Sequence, residues 1–287
     1  MNSLSHKIDF VLFVSVKNAN PNGDPLLGNM PRTDYEGYGE ISDVAIKRKV
    51  RNRLQDFGYD IFVQANDRKQ DEFKSLEERL NSVFNKNKGE KEYIFSESCK
   101  RWIDVRSFGQ VMAYTDFSLG IRGPVSISLG KSLDPVDIIT MQITRSTNGK
   151  KPSKNKEQSS DTMGIKHFVD FGVYKITGSI NCYFAEKTGF TDEDAAAIKK
   201  ALISLFENDM SAARPEGSMA VEKVYWFVHP NTMGLASSAK IQRLVQVKLP
   251  QGNRKAQAFT DYQITLDTER MDTYQKQGLR VEELVGY

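Results

Sequence analysis

The densest run of chemistry-bearing side chains in this 287-residue sequence is Lys47, Arg48, Lys49, Arg51 and Arg53, five cations within seven positions. At about 100° per residue in a helix, Lys47, Arg48 and Arg51 fall on the flank away from Ile46. Lys47 and Arg51 form an i,i+4 like-charge pair, which mildly destabilises an isolated helix. Phosphates lying along that flank reverse the sign. The run is therefore either a polyanion-binding surface or a plain solvated face, a common fate of such clusters.

A second basic cluster runs from Arg145 through Lys150, Lys151 and Lys154 to Lys156. It lies between strand-like runs at 136–144 and 165–176, at the tip of a projecting hairpin. Met163, Ile165, Lys166, His167 and Phe168 follow directly. Apolar groups beside a basic tip suit a wedge between stacked bases; the alternative is a flexible polar loop whose stem packs on the core.

Residues 18–40 (NANPNGDPLLGNMPRTDYEGYGE) form a long loop rich in amides and glycine, with Arg32 near its end. Glycine lets backbone N–H groups approach a phosphate closely. Asp24 and Asp34 offer a divalent-ion site instead, and plain turn chemistry explains Asn-Pro-Asn-Gly-Asp-Pro equally well. Arg214, in Arg-Pro-Glu-Gly-Ser, sits in a helix-to-strand turn and reaches for a phosphate, a neighbouring subunit or a local ion pair. No P-loop, HExxH or recognisable Ser/Cys nucleophile is present, and the aromatic signature of RNA-recognition motifs is missing. Nucleic acid, if bound, is expected through backbone and shape.

These side chains need elements to hold them. Residues 7–17 read as a strand buried on both faces at its centre. Ser42 caps a helix whose stripe is Ile46, Val50, Leu54 and Phe57. Helices are expected at 71–84 and 101–114, the latter with Trp102, Val105, Phe108 and Met112 in register. Strands are expected at 119–129, 168–184 and 219–228. Thr191 and Asp194 have capping-box-like spacing ahead of a helix carrying Ala195, Ile198, Leu202 and Leu205. A hairpin is expected across 241–249 and 257–266. The order strand, helix, strand, strand, helix, strand matches the ferredoxin-like, or RNA-recognition-motif, unit. The expected class is α+β, one domain over 1–287 with an insertion at 58–118 and a hairpin at 136–176.

Composition agrees with a soluble chain: 27% charged, 39% hydrophobic, net charge +3, mean hydropathy −0.50. There is no run of about 18 apolar residues for a membrane span. Asp9 interrupts the apolar N-terminal stretch, which reads as a first strand of a cytoplasmic protein rather than a leader. The two cysteines make no disulfide framework, and Cys and His lack zinc-ligand spacing.

Six segments carry a resemblance: NPNGDPLLGNMPR (20–32) running into ISDVAIKRKVRN (41–52), DVRSFGQV (104–111), GIRGPVSISLGKSLDPV (120–136), TMGIKHFVDFGVY (162–174) and SAARPEGSMAV (211–221). Together, over nearly the whole chain and in order, they resemble the backbone ("Cas seven") subunit of Cascade, subtype I-C, in the RAMP superfamily. The resemblance implies a modified RNA-recognition-motif palm, a helical finger region and a β-hairpin thumb. It implies a non-catalytic, cofactor-free subunit that polymerises along CRISPR RNA and is indifferent to spacer sequence. The implied partners are that RNA, a target DNA strand paired to it, neighbouring copies, and other Cascade subunits, namely the repeat-processing handle-binding subunit and the large subunit. Phosphate contacts map onto Lys47, Arg48 and Arg51, and first-loop contacts onto Asn20, Asn22 and Arg32. Thumb contacts map onto Met163, Lys166, His167 and Phe168, with Met163 or Phe168 as the wedge. The rival is a metal-dependent RNA-cleaving backbone subunit of the type III kind, using Asp24. A general single-strand-binding or scaffold protein is a further alternative.

Overall fold

A computed structural model describes residues 3–84, 90–114, 117–144, 163–250 and 255–287. The first strand, β1 (Ile8–Ala19), is apolar on both faces and buried from Ile8 to Val14, so it takes the middle of the sheet. Two short strands, β2 (Gly23–Asp24) and β3 (Met30–Pro31), pair across the first loop, and β4 (Tyr38–Ile41) leads into α1 (Asp43–Asp56). An insertion follows: α2 (Leu76–Phe84), α3 (Lys91–Arg101), α4 (Ile103–Phe108), and the hairpin β5 (Gly109–Tyr114) and β6 (Phe117–Arg122). The chain returns through β7 (Val125–Ile127), β8 (Gly130–Pro135), β9 (Ile138–Thr144) and the long β10 (Met163–Ile180). Then come α5 (Cys182–Thr188), α6 (Asp192–Ile203) and β11 (Met219–Val228). The C-terminal part adds α7 (Ser238–Gln242), the pair β12 (Val245–Lys248) and β13 (Gln263–Leu266), α8 (Thr268–Lys276) and β14 (Arg280–Val285).

The main sheet runs β14–β11–β1–β10–β8–β4 with antiparallel neighbours, and β7 and β9 pair elsewhere along β10. This is the mixed α+β class expected. Alternation along β1 divides the interior into two cores. Phe10, Leu12, Val14 and Val16 join Ile46, Val50 and Leu54 of α1 and Ile198 and Leu202 of α6. Val11 and Phe13 face the other way, onto Ile241, Leu244, Val245 and Met271. The insertion has its own core around Phe62, Leu80, Phe84, Ile94, Trp102 and Met112.

Several local expectations appear as drawn. Ser42 Oγ accepts from Ala45 N, and the Thr191–Asp194 capping box closes in both directions. Others need correction. The helix expected over 101–114 stops at Phe108. Gly109 has φ +78°, and a Cβ there would sit 2.3 Å from the Ile121 carbonyl oxygen, so the chain turns into a strand. The 71–84 helix starts at Leu76, because Asp71 accepts from Phe73 N and pairs with Arg79. The 168–184 strand ends at Ile180, where Asn181 caps α5. The C-terminal hairpin exists only between Val245–Lys248 and Gln263–Leu266. Neither α3 nor the α8–β14 extension was expected.

Candidate nucleic-acid interface

The first loop, the turn before β11 and the root of the β9–β10 hairpin meet at one end of the sheet, because Ala19 pairs with Val169 and Val16 with Met219. Asn20 N donates to Ala213 O at 2.9 Å, tying the first loop to the turn at 208–214. Ser42 N donates to Asn22 Oδ1 at 2.8 Å, seating the same loop over the start of α1. A Cβ on Gly23 would fall 2.0 Å from Asn29 Oδ1, so any side chain there would displace the Asn29 carboxamide.

Between these pieces lies a cavity of about 430 Å³, within the ordinary range for ligand sites. One face of α1 forms its wall: Ala45, Arg48, Lys49 and Asn52, at the i, i+3, i+4, i+7 spacing. Asn22 and Asn29 face them from the first loop, Asp67 and Arg68 from the turn after α1, and Asp209 and Arg214 from the turn before β11. Among the described residues, no aromatic ring is in the lining. A larger cavity of about 720 Å³ opens at the far end of the sheet beside Lys7, Cys182, Met233 and Ser238, but holds none of the residues singled out from the sequence.

The cations in the smaller cavity are tuned by burial. Lys49 is 5% exposed and binds Asp209, with its ammonium 5.3 Å from the Phe206 ring. Burial pushes its pKa down to about 8, with Asp209 pulling the other way. Arg214 Nε lies 3.3 Å from the same Asp209 carboxylate. Arg48 donates to Val63 O at 2.6 Å, and its pKa is lowered by burial and then by Arg51. Arg68 is tethered to Asp56 at 2.6 Å. The arrangement presents several donors and four cations at one opening, with Asp67 and Asp209 as resident counter-anions.

Of the residues picked from the sequence, Asn22, Arg48 and Arg214 share this cavity. Asn20 is buried behind it, donating to Asn29 O at 2.6 Å. Arg32 pairs with Asp24 at 3.3 Å, and Lys47 with Asp43 at 2.9 Å. Arg51 does not share a free flank with Lys47 and Arg48: it turns inward to Asp104 at 2.9 Å and lies over the Phe108 ring. The insertion packs against that side of α1, which a wheel of the helix alone cannot reveal. Asp34 is bound by Lys131 at 2.6 Å and accepts from Glu36 N and Tyr38 N.

The hairpin residues divide by face. Met163 pairs with Thr144 and His167 with Thr140, whereas Lys166 pairs with Met141 and Phe168 with Ile139. Strand alternation puts Met163 and His167 on one side and Lys166 and Phe168 on the other. His167 Nδ1 lies 2.9 Å from Thr140 Oγ1. Arg145 and the rest of the basic tip lie outside the described residues. Sequence reasoning missed Lys49, Asn52 and Arg68 as cavity residues. The first two carry a signal in their spacing with Ala45 and Arg48; Arg68 carries none.

A family model described as CRISPR-associated protein Cas7 matches residues 6–267. The chain belongs to the Cas7 family. A Cas7 relative from Haloferax volcanii, "CRISPR-associated protein Cas7", is 26% identical over 213 residues, covering 64% of this chain and 59% of the relative. This Cas7 chain thus spans somewhat under two thirds of that relative. Among solved structures, a chain titled "CRISPR RNA-guided surveillance complex" shares the fold at TM-score 0.53 and 15% identity, over 96% of this chain and 87% of that one.

Proposed function

We propose that this Cas7 chain is the non-catalytic backbone subunit of a type I-C Cascade complex, acting in the cytoplasm. It polymerises along a CRISPR RNA by sequence-independent phosphate contacts and displays the guide for pairing with target DNA in antiviral defence. The observation that carries this reading is the cavity where Arg48, Lys49, Arg68 and Arg214 converge, with no aromatic ring in its lining among the described residues. Phosphate contacts position a strand without reading it. Reading is then left to guide pairing, as in other RNA-guided systems.

The strand order β11–β1–β10–β7 and the two helices α1 and α6 on one face support an RNA-recognition-motif-like palm. Residues 58–118, with their own core, act as the finger, and 136–176 as the thumb. The partners are the guide RNA, neighbouring copies, and the handle-binding and large subunits. Sequencing the nucleic acid that co-purifies with the protein tests the proposal. Repeat-spacer RNA is the expected outcome; heterogeneous cellular RNA, or none, overturns it.

A further inference from the structure

The cavity already contains an anion between two of its cations. Asp209 sets one carboxylate oxygen on the Lys49 ammonium, and the same oxygen lies 3.3 Å from Arg214 Nε. Lys49 comes from α1 and Arg214 from the turn that carries Asp209 itself, and all three side chains line the opening. A carboxylate and a phosphate make the same demand on such a pair, since both take charge-assisted hydrogen bonds through acceptor oxygens. Lys49 is buried and needs an anion whether or not a strand is present, because an uncompensated buried charge is strongly unfavourable.

A phosphate and Asp209 exclude each other there. A strand drawn in by Arg48 and Arg68 brings a second negative charge against the carboxylate, in a partly buried site where like charges repel more than in water. The segment that carries Asp209 has room to give way. Leu205 and Met219 are buried, but none of the described residues from Glu207 to Ser218 is. Met210 is 71% exposed, and Asn208 turns the chain at φ +57°. Polar contacts hold the turn: Arg68 donates to Asn208 O, and Asn20 N to Ala213 O. Segments with few buried apolar contacts open at small free-energy cost, so moving Asp209 aside uncovers no core.

We propose that Asp209 is an autoinhibitory group: in the free chain its carboxylate fills the place between Lys49 and Arg214, and the 208–214 turn carries it aside when a phosphate takes that place. This rests on the phosphate-binding reading above and adds a condition to it. Each copy must release its own anion before it holds the strand, so the binding-competent form of the free chain is a minor one.

The test measures binding of one single-stranded RNA to the full chain across a series of salt concentrations, for the wild type, Asp209→Asn and Asp67→Asn. Asp67 is the other carboxylate of the lining, so its variant makes the same change of charge and leaves the Lys49–Asp209–Arg214 contact alone. Thermal melting confirms that each variant folds. Asp209→Asn should bind roughly tenfold tighter, the gain from a competent form that is about a tenth populated in the wild type. Its plot of log affinity against log salt should steepen by about 0.7, since no carboxylate is released to take up a salt cation. An affinity that falls or stays put means that Asp209 only orients the two cations, and overturns the proposal. An equal gain in Asp67→Asn reduces the effect to net charge and overturns it too. If Asp209→Asn does not fold, the same substitution is made on Lys49→Gln, which leaves no buried lysine unpaired. A gain over Lys49→Gln alone is then expected, and no gain overturns the assignment. A folded wild type and a folded Asp209→Asn that both bind no RNA overturn the phosphate-binding reading itself.

Discussion

The Nε of Arg51 sits 2.9 Å from a carboxylate oxygen of Asp104, a fully buried residue that also accepts from Phe62 N at 2.8 Å and Val63 N at 3.1 Å. This pair bolts α1 to the insertion. Removing one partner of such a pair leaves an uncompensated buried charge, at a cost of about 3–5 kcal/mol. Arg51→Ala should therefore lower the unfolding free energy measured in urea by that amount, while the folded fraction keeps near-normal RNA affinity. A stable variant with lost binding would restore Arg51 to the RNA surface.

Arg48 and Arg214 face the cavity from different elements. Each phosphate contact removed from a single strand should flatten the dependence of log affinity on log salt by about 0.7. Alanine at either position is expected to do so equally for guides of different spacer sequence, measured by fluorescence anisotropy from 50 to 300 mM salt, on the order of the range where such slopes show. Loss that varies with spacer sequence would contradict backbone-only binding.

Lys49 supplies a pH signature. Its folded pKa, about 8, lies below the ordinary lysine value of 10.5, so between the two the unfolded chain holds the extra proton. Stability from this group therefore rises as pH climbs from about 8 to 10.5. RNA binding moves the opposite way: affinity should weaken above pH 8 as the ammonium loses its proton. Lys49→Arg, which stays charged, should flatten the binding profile. Denaturation and anisotropy across pH 7–10 check both signs, and parallel trends would refute the coupling.

The hairpin faces separate two candidates for the wedge. Phe168 shares its side with Ile139, Met141 and Lys166, whereas Met163 shares its side with Thr140, Gln142 and His167. Phe168→Ala is expected to disturb the periodic exposure of guide nucleotides to chemical probing, with Met163→Ala closer to wild type. The reverse ranking would move the wedge to the other face.

Asp24 caps the turn at Leu26 and pairs with Arg32, so its carboxylate is committed to loop geometry. Purified assembly incubated with complementary RNA and Mg²⁺ is expected to leave the RNA intact. Cleavage that disappears in Asp24→Ala would replace the non-catalytic reading.

Much of this architecture is visible in residue order. The two-sided apolarity of β1, the Ser42 cap and the Ile46–Val50–Leu54 stripe are local patterns, and the structure realises each. The site is less visible because its walls come from distant segments. Lys49 reads as one cation among five until Asp209, 160 positions away, closes over it. Arg51 reads the same way until Asp104 arrives. The apolar period of 101–114 continues past Gly109; only the close approach to Ile121 O, a tertiary fact, breaks the helix there.

One strand spans both halves of the proposed RNA grip. From Met163 to Ile180, β10 is unbroken, its early part forming the projecting ribbon with β9 and the rest lying against β1. With no turn where ribbon meets sheet, the arm has no elbow. A load on the described part of the hairpin is delivered straight along β10 into the stretch that pairs with β1. Copies built this way would divide a strand into equal intervals by their own dimensions, whatever bases it carries.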